Sequence, residues 1–428
     1  MNEQRDTTFS ILKALAILLV VTAHAAAPTY LSRFAYMVSV PAFFVCAGYF
    51  FNPQYLQQKG TFVVRRTRRL YLPFVKWSLL FLVLHNLFFP LGLLSETYGN
   101  AAGGGTHPYD WGTAMQNLWS IVFNMSGYDV FLAGAFWFFR ALFLSSIAFL
   151  LLFKGATCIK WLKNPTLQVA AVGTLTLLLA IWQSFDGLRI TGVAQGGYRE
   201  LMGITFMSIG FLFRHNTDSP VSVAWRHPAL GLAWSSLILA LLVAFFPVAM
   251  TPSTGNPLAV VLLALAGPAA FVWLHAVAHY LSLLPRKVPE VIAYIGDNSI
   301  YIFGFHLLAF KLVSMIKVLA YGLPWEMVGN HPVVTFQRDD AFWIAYLLVG
   351  AGLPLLVVWS WRYFCIQFDF NWTRPADWGR LFLTISVGIW TGMKWLGRTS
   401  VRTSKKTAHG IAVTFKDIVT QSRTDDDN

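Results

Sequence analysis

The chain has 428 residues, of which 56% are hydrophobic and only 12% charged, and its mean hydropathy is +0.56. A soluble globular domain carries about 25% charged residues, so composition excludes a soluble enzyme and reads as an all-α, multi-pass membrane protein. The net charge of +13 does not call for nucleic acid, because Lys and Arg gather on the cytoplasmic loops of such proteins; the scattered Cys46, Cys158 and Cys365 suit neither a disulfide framework nor a metal site.

A membrane-crossing helix needs about 20 apolar residues. Ten such runs are predicted, at 8–29, 33–52, 70–93, 132–153, 165–184, 200–213, 228–250, 258–281, 292–320 and 342–362. The first resembles a cleavable secretion signal, but Lys13 in its middle and a second apolar run directly after it argue for a retained span. Basic residues then recur on alternate connectors. Lys59, Arg65, Arg66, Arg68 and Arg69 follow span two, and Lys154, Lys160 and Lys163 follow span four. Arg214 and Arg226 come next, then Arg286 and Lys287, while 95–131 has no Lys or Arg at all. The alternation predicts that both termini are cytoplasmic, in the inner membrane of a cell. Residues 1–362 then form one membrane domain. Residues 363–428 form a basic cytoplasmic tail, with Arg374, Arg380, Lys405 and Lys406, an interfacial helix at 381–393 and a disordered end.

Two ionisable residues interrupt the first span. Lys13 and His24 lie eleven residues apart, which in a helix is roughly 16 Å along the axis and close to three whole turns, so both occupy one face. Between them runs the small, apolar "ALAILLVVTA". The bland reading has Lys13 snorkelling to the inner headgroups and His24 marking the outer helix end. The functional reading requires a ligand that enters from inside and reacts near the outside. The stretch "VVRRTRRLYLP" (63–73) makes that ligand plausible, since Arg65 with Arg68, or Arg66 with Arg69, share a helix face. Paired guanidiniums suit a phosphate-rich molecule; a plain positive-inside loop is the alternative.

Lys13-x10-His24, "VPAFFVCAGYFF" (40–51), Arg66-x-x-Arg69 with Pro73, "FWFFRALFL" (136–144) and "IGDNSIYIFGFHLL" (295–308) follow one another in the order seen in the acyltransferase-3 family. The chain resembles that family over about residues 5–362. The resemblance implies about ten spans and transfer of an acyl group, usually acetyl from cytoplasmic acetyl-CoA, to a hydroxyl of a glycan at the outer face. It implies His24 as the catalytic residue and Lys13, Arg66 and Arg69 as the acyl-CoA-binding residues, with Arg65 and Arg68 as the other register. Two departures stand out. Ser10 occupies the position where the family often has Asp, and Ala47-Gly48 replaces its Ser-Gly. No hydrolase-type domain is expected beside the membrane segment, and transfer is expected within that segment or through a separate extracytoplasmic transferase.

Other polar residues in the spans are weighed individually, because an ionisable group in hydrocarbon is costly unless paired or facing a cavity. Arg140, set among Trp137, Phe138 and Phe139, and His306 are read as lining the outer acceptor site, with Trp137; an interfacial anchor and an ordinary interhelical histidine are the alternatives. Lys311 and Lys317 are expected to snorkel outward. His85, His275 and His279 are read as ordinary helix histidines, and no metal site is expected. The outer segment 95–131, with glycines at 103–105, Trp111 and Trp119, suits either sugar stacking or a membrane interface. The rival reading is a transporter or flippase of a glycan or lipid-linked intermediate. It calls for inverted repeats, and no repeat is evident.

Overall fold

The computed structural model describes residues 6–99, 105–187, 189–216, 227–251, 255–338 and 340–367. Compact units comprise residues 1–358 and 359–428; of the second, the described residues only carry the last helix on to Gln367. Arg226 and the tail beyond Gln367, with its expected interfacial helix and disordered end, lie outside the described residues, as do glycines 103 and 104.

The elements in chain order are α1 (Thr7–His24), α2 (Thr29–Tyr49), α3 (Lys59–Arg66), a π-helical turn (Thr67–Tyr71), α4 (Leu72–Phe88), α5 (Trp111–Asn124), α6 (Trp137–Ala156) and α7 (Pro165–Asp186). They continue with α8 (Tyr198–His215), α9 (Pro228–Phe245), α10 (Pro257–Ser282), α11 (Lys287–Asp297), α12 (Ser299–Ala320) and α13 (Phe342–Gln367). No β-strand occurs among the described residues. Nine helical segments there are long and apolar enough to cross a membrane. The predicted span at 200–213 corresponds to α8, which falls outside those nine because Arg199, Glu200 and Arg214 lower its hydropathy. Most of α8 is nevertheless buried inside the bundle.

The position of α1 follows from its sequence. Asp6 caps it by accepting from the Thr8 amide at 2.9 Å. Its eighteen residues are apolar nearly all round, which is the pattern of a helix enclosed by others. It is packed by α2, α10, α11 and α12. By contrast α9 is buried over only 22% of its length, leaving most of its surface for lipid.

Glycines set the closest approaches. A Cβ added at Gly48 of α2 would fall 1.9 Å from the Met207 carbonyl oxygen of α8, and one at Gly210 of α8 would fall 1.9 Å from that of Val45. The two backbones therefore touch reciprocally, the way small residues let membrane helices pack. Gly296 of α11 does the same against Ser10 of α1, at 1.8 Å. That contact brings the end of α11 onto α1 beside Lys13.

Two expectations about spans change. The predicted run 292–320 is not one helix: the backbone leaves helical geometry at Asn298 (φ −105°, ψ 11°), dividing α11 from α12. The helix before α4 starts at Lys59 rather than 70, so the arginine cluster is helical and includes the π-helical turn, a feature frequent at functional sites. The outer segment contains a helix of its own, α5, whose Trp111, Trp119 and Phe123 are exposed.

Candidate active site

Lys13, Ile17, Val20 and His24 follow one stripe of α1, because residues three and four apart share a helix face. Ile17, Val20 and His24 line a cavity of about 130 Å³ whose other walls include Val40 and Phe43 of α2, Trp137, Phe138 and Phe139 of α6, and Phe303 of α12. The lining also includes Leu70, the residue after Arg69, and Ser299 and Ile300, which follow Asp297 and Asn298. The cavity wall therefore includes His24 together with residues next in sequence to both charge clusters.

At the Lys13 end, Lys13 Nζ lies 3.2 Å from Asp297 Oδ1, and Ser10 Oγ donates to the same oxygen at 2.9 Å. The carboxylate that the family resemblance places at position 10 is supplied here from α11, and Ser10 joins Lys13 by sharing it. Arg66 is half-buried, with its guanidinium 5.1 Å from the Phe62 ring, and it feels the like charge of Arg69. Arg65, Arg68 and Arg69 are exposed, and Arg65 donates to the Tyr55 hydroxyl at 2.7 Å. Among the described residues none of the four arginines is ion-paired. Two like charges held close without a counter-ion suit an anionic ligand. The geometry favours Arg66 with Arg69, since Arg65 is already engaged with Tyr55.

At the His24 end, His24 Nδ1 lies 2.8 Å from the Val20 carbonyl oxygen. A carbonyl only accepts, so Nδ1 carries the hydrogen and Nε2 keeps the lone pair. The ring centroid of His306 is 5.3 Å from that of His24, and Tyr36 stands edge-on to His24 at 5.8 Å. His306 is fully buried; its Nδ1 donates toward the carbonyls of Ile302 and Phe303 at 3.1 and 3.0 Å. Its Nε2 has no hydrogen-bond partner among the described residues. Near both rings His331 donates from Nδ1 to the Phe131 carbonyl at 2.8 Å. Burial, aided by the nearby Lys311 charge, pushes the His331 pKa down to about 4.

Sequence reasoning placed several residues differently. Lys311 and Lys317 do not snorkel. Lys311 is buried and donates to the carbonyls of Val328 and Asn330 at 3.0 and 2.8 Å, while Lys317 is buried against Asp340 at 2.8 Å. The segment between α12 and α13 folds back to supply these acceptors, which no local pattern announces. His85 is not an ordinary helix histidine either: it is fully buried, bonded to Asp129 and to the His107 carbonyl, and stacked on Tyr109 at 3.5 Å. Trp137 lines the cavity, whereas Arg140 lies one residue beyond the lining Phe139. Arg140 is buried, its Nε lacks a partner among the described residues, and it feels Glu200. Arg199, bonded to the Met250 carbonyl and stacked 3.7 Å over the Trp137 ring, joins this polar cluster. Glu200, Arg199, Asp297 and His331 were all missed. The charged pair Arg199-Glu200 opening an otherwise apolar run was the one available signal. Among the described residues no three His, Cys, Asp or Glu side chains gather as metal ligands.

Comparison with known proteins bears on this arrangement. A family model described as an acyltransferase domain matches residues 7–336. The chain is 28% identical over 248 residues to the peptidoglycan O-acetyltransferase OatA of Listeria monocytogenes, an alignment covering 53% of this chain and 37% of that relative's length. No solved structure matches. The aligned family region takes in the Lys13–His24 stripe, the arginine cluster, the cavity and His306; the chain belongs to the acyltransferase-3 family of membrane acyltransferases.

Proposed function

We propose that this enzyme moves an acyl group, acetyl in the first instance, from cytoplasmic acyl-CoA to a hydroxyl of a glycan outside the membrane, both termini being cytoplasmic. The observation that carries the reading is an apolar cavity whose wall includes both His24 and Leu70, the residue after Arg69. Acyl-CoA has an anionic nucleotide end and a long neutral arm. Arg66 and Arg69 hold the nucleotide end by charge-assisted hydrogen bonds, and the arm lies along Ile17 and Val20. Lys13, fixed by Asp297, adds positive charge where the arm enters. The thioester then meets the Nε2 lone pair of His24, which acts as base toward the acceptor hydroxyl or takes the acyl group itself. Trp137, Arg140 and His306 stand on the acceptor side, where an aromatic face and a buried cation suit a sugar. The name of the Listeria relative makes peptidoglycan the first acceptor to try.

Isotope transfer tests the reading. Membranes containing the protein are given labelled acetyl-CoA on the cytoplasmic face, and label is measured in glycan outside. The wild type transfers label and His24→Ala does not. Equal transfer by His24→Ala removes His24 from the chemistry, and transport of an unmodified glycan in the absence of label points to the flippase reading instead.

A further inference from the structure

Acyl transfer by way of His24 raises a question of proton balance that His306 answers. Three imidazoles gather near the end of α1: His24, His306 on α12 and His331 in the segment before α13, with the His24 and His306 ring centroids 5.3 Å apart. Each Nδ1 is tied to a backbone carbonyl, those of Val20, of Ile302 and Phe303, and of Phe131 respectively. Each Nε2 is therefore left with a lone pair. The other groups near the three are Tyr36 beside His24, and Lys311 and Asp129 beside His331. No carboxylate touches His24 or His306 among the described residues. The Nε2 of His306 is a buried acceptor without a partner, an arrangement that proteins seldom keep without a use for it.

We propose, resting on the acyl-CoA reading above, that transfer runs in two steps, with His24 as nucleophile and His306 as the base for the second. In the first step His24 Nε2 bonds to the thioester carbonyl carbon and the carbon–sulfur bond breaks. CoA leaves as thiolate and takes a proton from the cytoplasmic solution. The acylated His24 now carries substituents on both nitrogens and has no lone pair for an acceptor proton. In the second step the acceptor oxygen bonds to the acyl carbon and the carbon–nitrogen bond breaks. The hydroxyl proton goes to His306 Nε2, and His24 recovers its starting form. His331, half-buried and bonded through Nδ1 to the Phe131 carbonyl, takes that proton at its free Nε2 and passes it toward the outer solution.

The test uses the full chain in detergent with [14C]acetyl-CoA and acceptor. In His306→Gln steady transfer falls at least about hundredfold, while one equivalent of CoA is still released in a burst. The label stays on the protein after rapid quenching and leaves with hydroxylamine. Transfer at the wild-type rate overturns the proposal. So does a folded His306→Gln protein that binds acetyl-CoA but gives neither burst nor label. Should that variant not fold, the wild type without acceptor decides. Release of one CoA with labelled protein is expected, and no CoA release until acceptor is added overturns the two-step order. Failure of the donor assignment is separate: the wild type then releases no CoA from acetyl-CoA even with acceptor present.

Discussion

At one end of α1, charge is accessible and paired: Lys13 is 38% exposed against Asp297. Eleven residues on, the polar groups are uncharged or enclosed, and each is anchored through a backbone carbonyl rather than a counter-ion. Fixed charge at a boundary can grip an anionic ligand, yet solvent screens it. A lone pair in a dry cavity grips little but reacts without first shedding water. Under the proposed function the helix thus separates holding from reacting, and substitutions at its two ends should fail in different ways.

The largest effect is expected at the reacting end. His24→Ala should lower acyl transfer at least about hundredfold while leaving acetyl-CoA binding, followed by titration calorimetry, close to wild type. If binding and transfer fall together, the separation breaks down. At the holding end, Arg66→Ala combined with Arg69→Ala should do the opposite. Each lost charge-assisted bond is worth about 1.5–3 kcal/mol, so the KM for acetyl-CoA should rise at least tenfold with kcat little changed.

Stability sharpens the same contrast. Gly296→Ala would drive a methyl group into the Ser10 backbone and should cost about 1–3 kcal/mol, loosening α11 and Asp297 from Lys13. Gly155→Ala, where nothing lies within 4 Å, is the control and should leave thermal unfolding in detergent unchanged. A pH effect is expected at the other end. His331 is neutral in the folded protein down to about pH 4, whereas an unfolded histidine titrates near 6.5. The unfolded chain therefore binds the extra proton between those values, and stability falls as pH drops from about 6.5 toward 4. His331→Gln should flatten that part of the stability profile; an unaltered slope would assign it to other groups. The smallest effect belongs to Asp297→Asn, because a partly exposed ion pair contributes about 0–1 kcal/mol.

Much of this arrangement was legible in the sequence, for a physical reason. Hydrocarbon penalises charge so strongly that Lys13, His24 and Arg140 stood out against apolar neighbours, and helical geometry alone put Lys13 and His24 on one face. The carbonyl acceptors of Lys311 could not be seen, since Val328 and Asn330 belong to a segment that folds back only in three dimensions. Asp297 was visible, but its use was not: pairing with Lys13 depends on the helix break at Asn298 and on Gly296 allowing α11 against α1. His85 was misjudged because its partner Asp129 lies 44 residues away.

The widened turn at Thr67–Tyr71 carries one more consequence. Phe62, Arg66, Leu70 and Phe74 recur every four residues, and all four are at least partly buried. In an unbroken α-helix a four-residue spacing drifts about 40° per step, so by Phe74 the row would have rotated some 120° away from Phe62. The i→i+5 winding turns less per residue and takes much of that drift back, so that Phe62, Arg66, Leu70 and Phe74 stay nearer to one side of the helix. Deleting Thr67 from this turn would leave every arginine in the chain and point the row elsewhere.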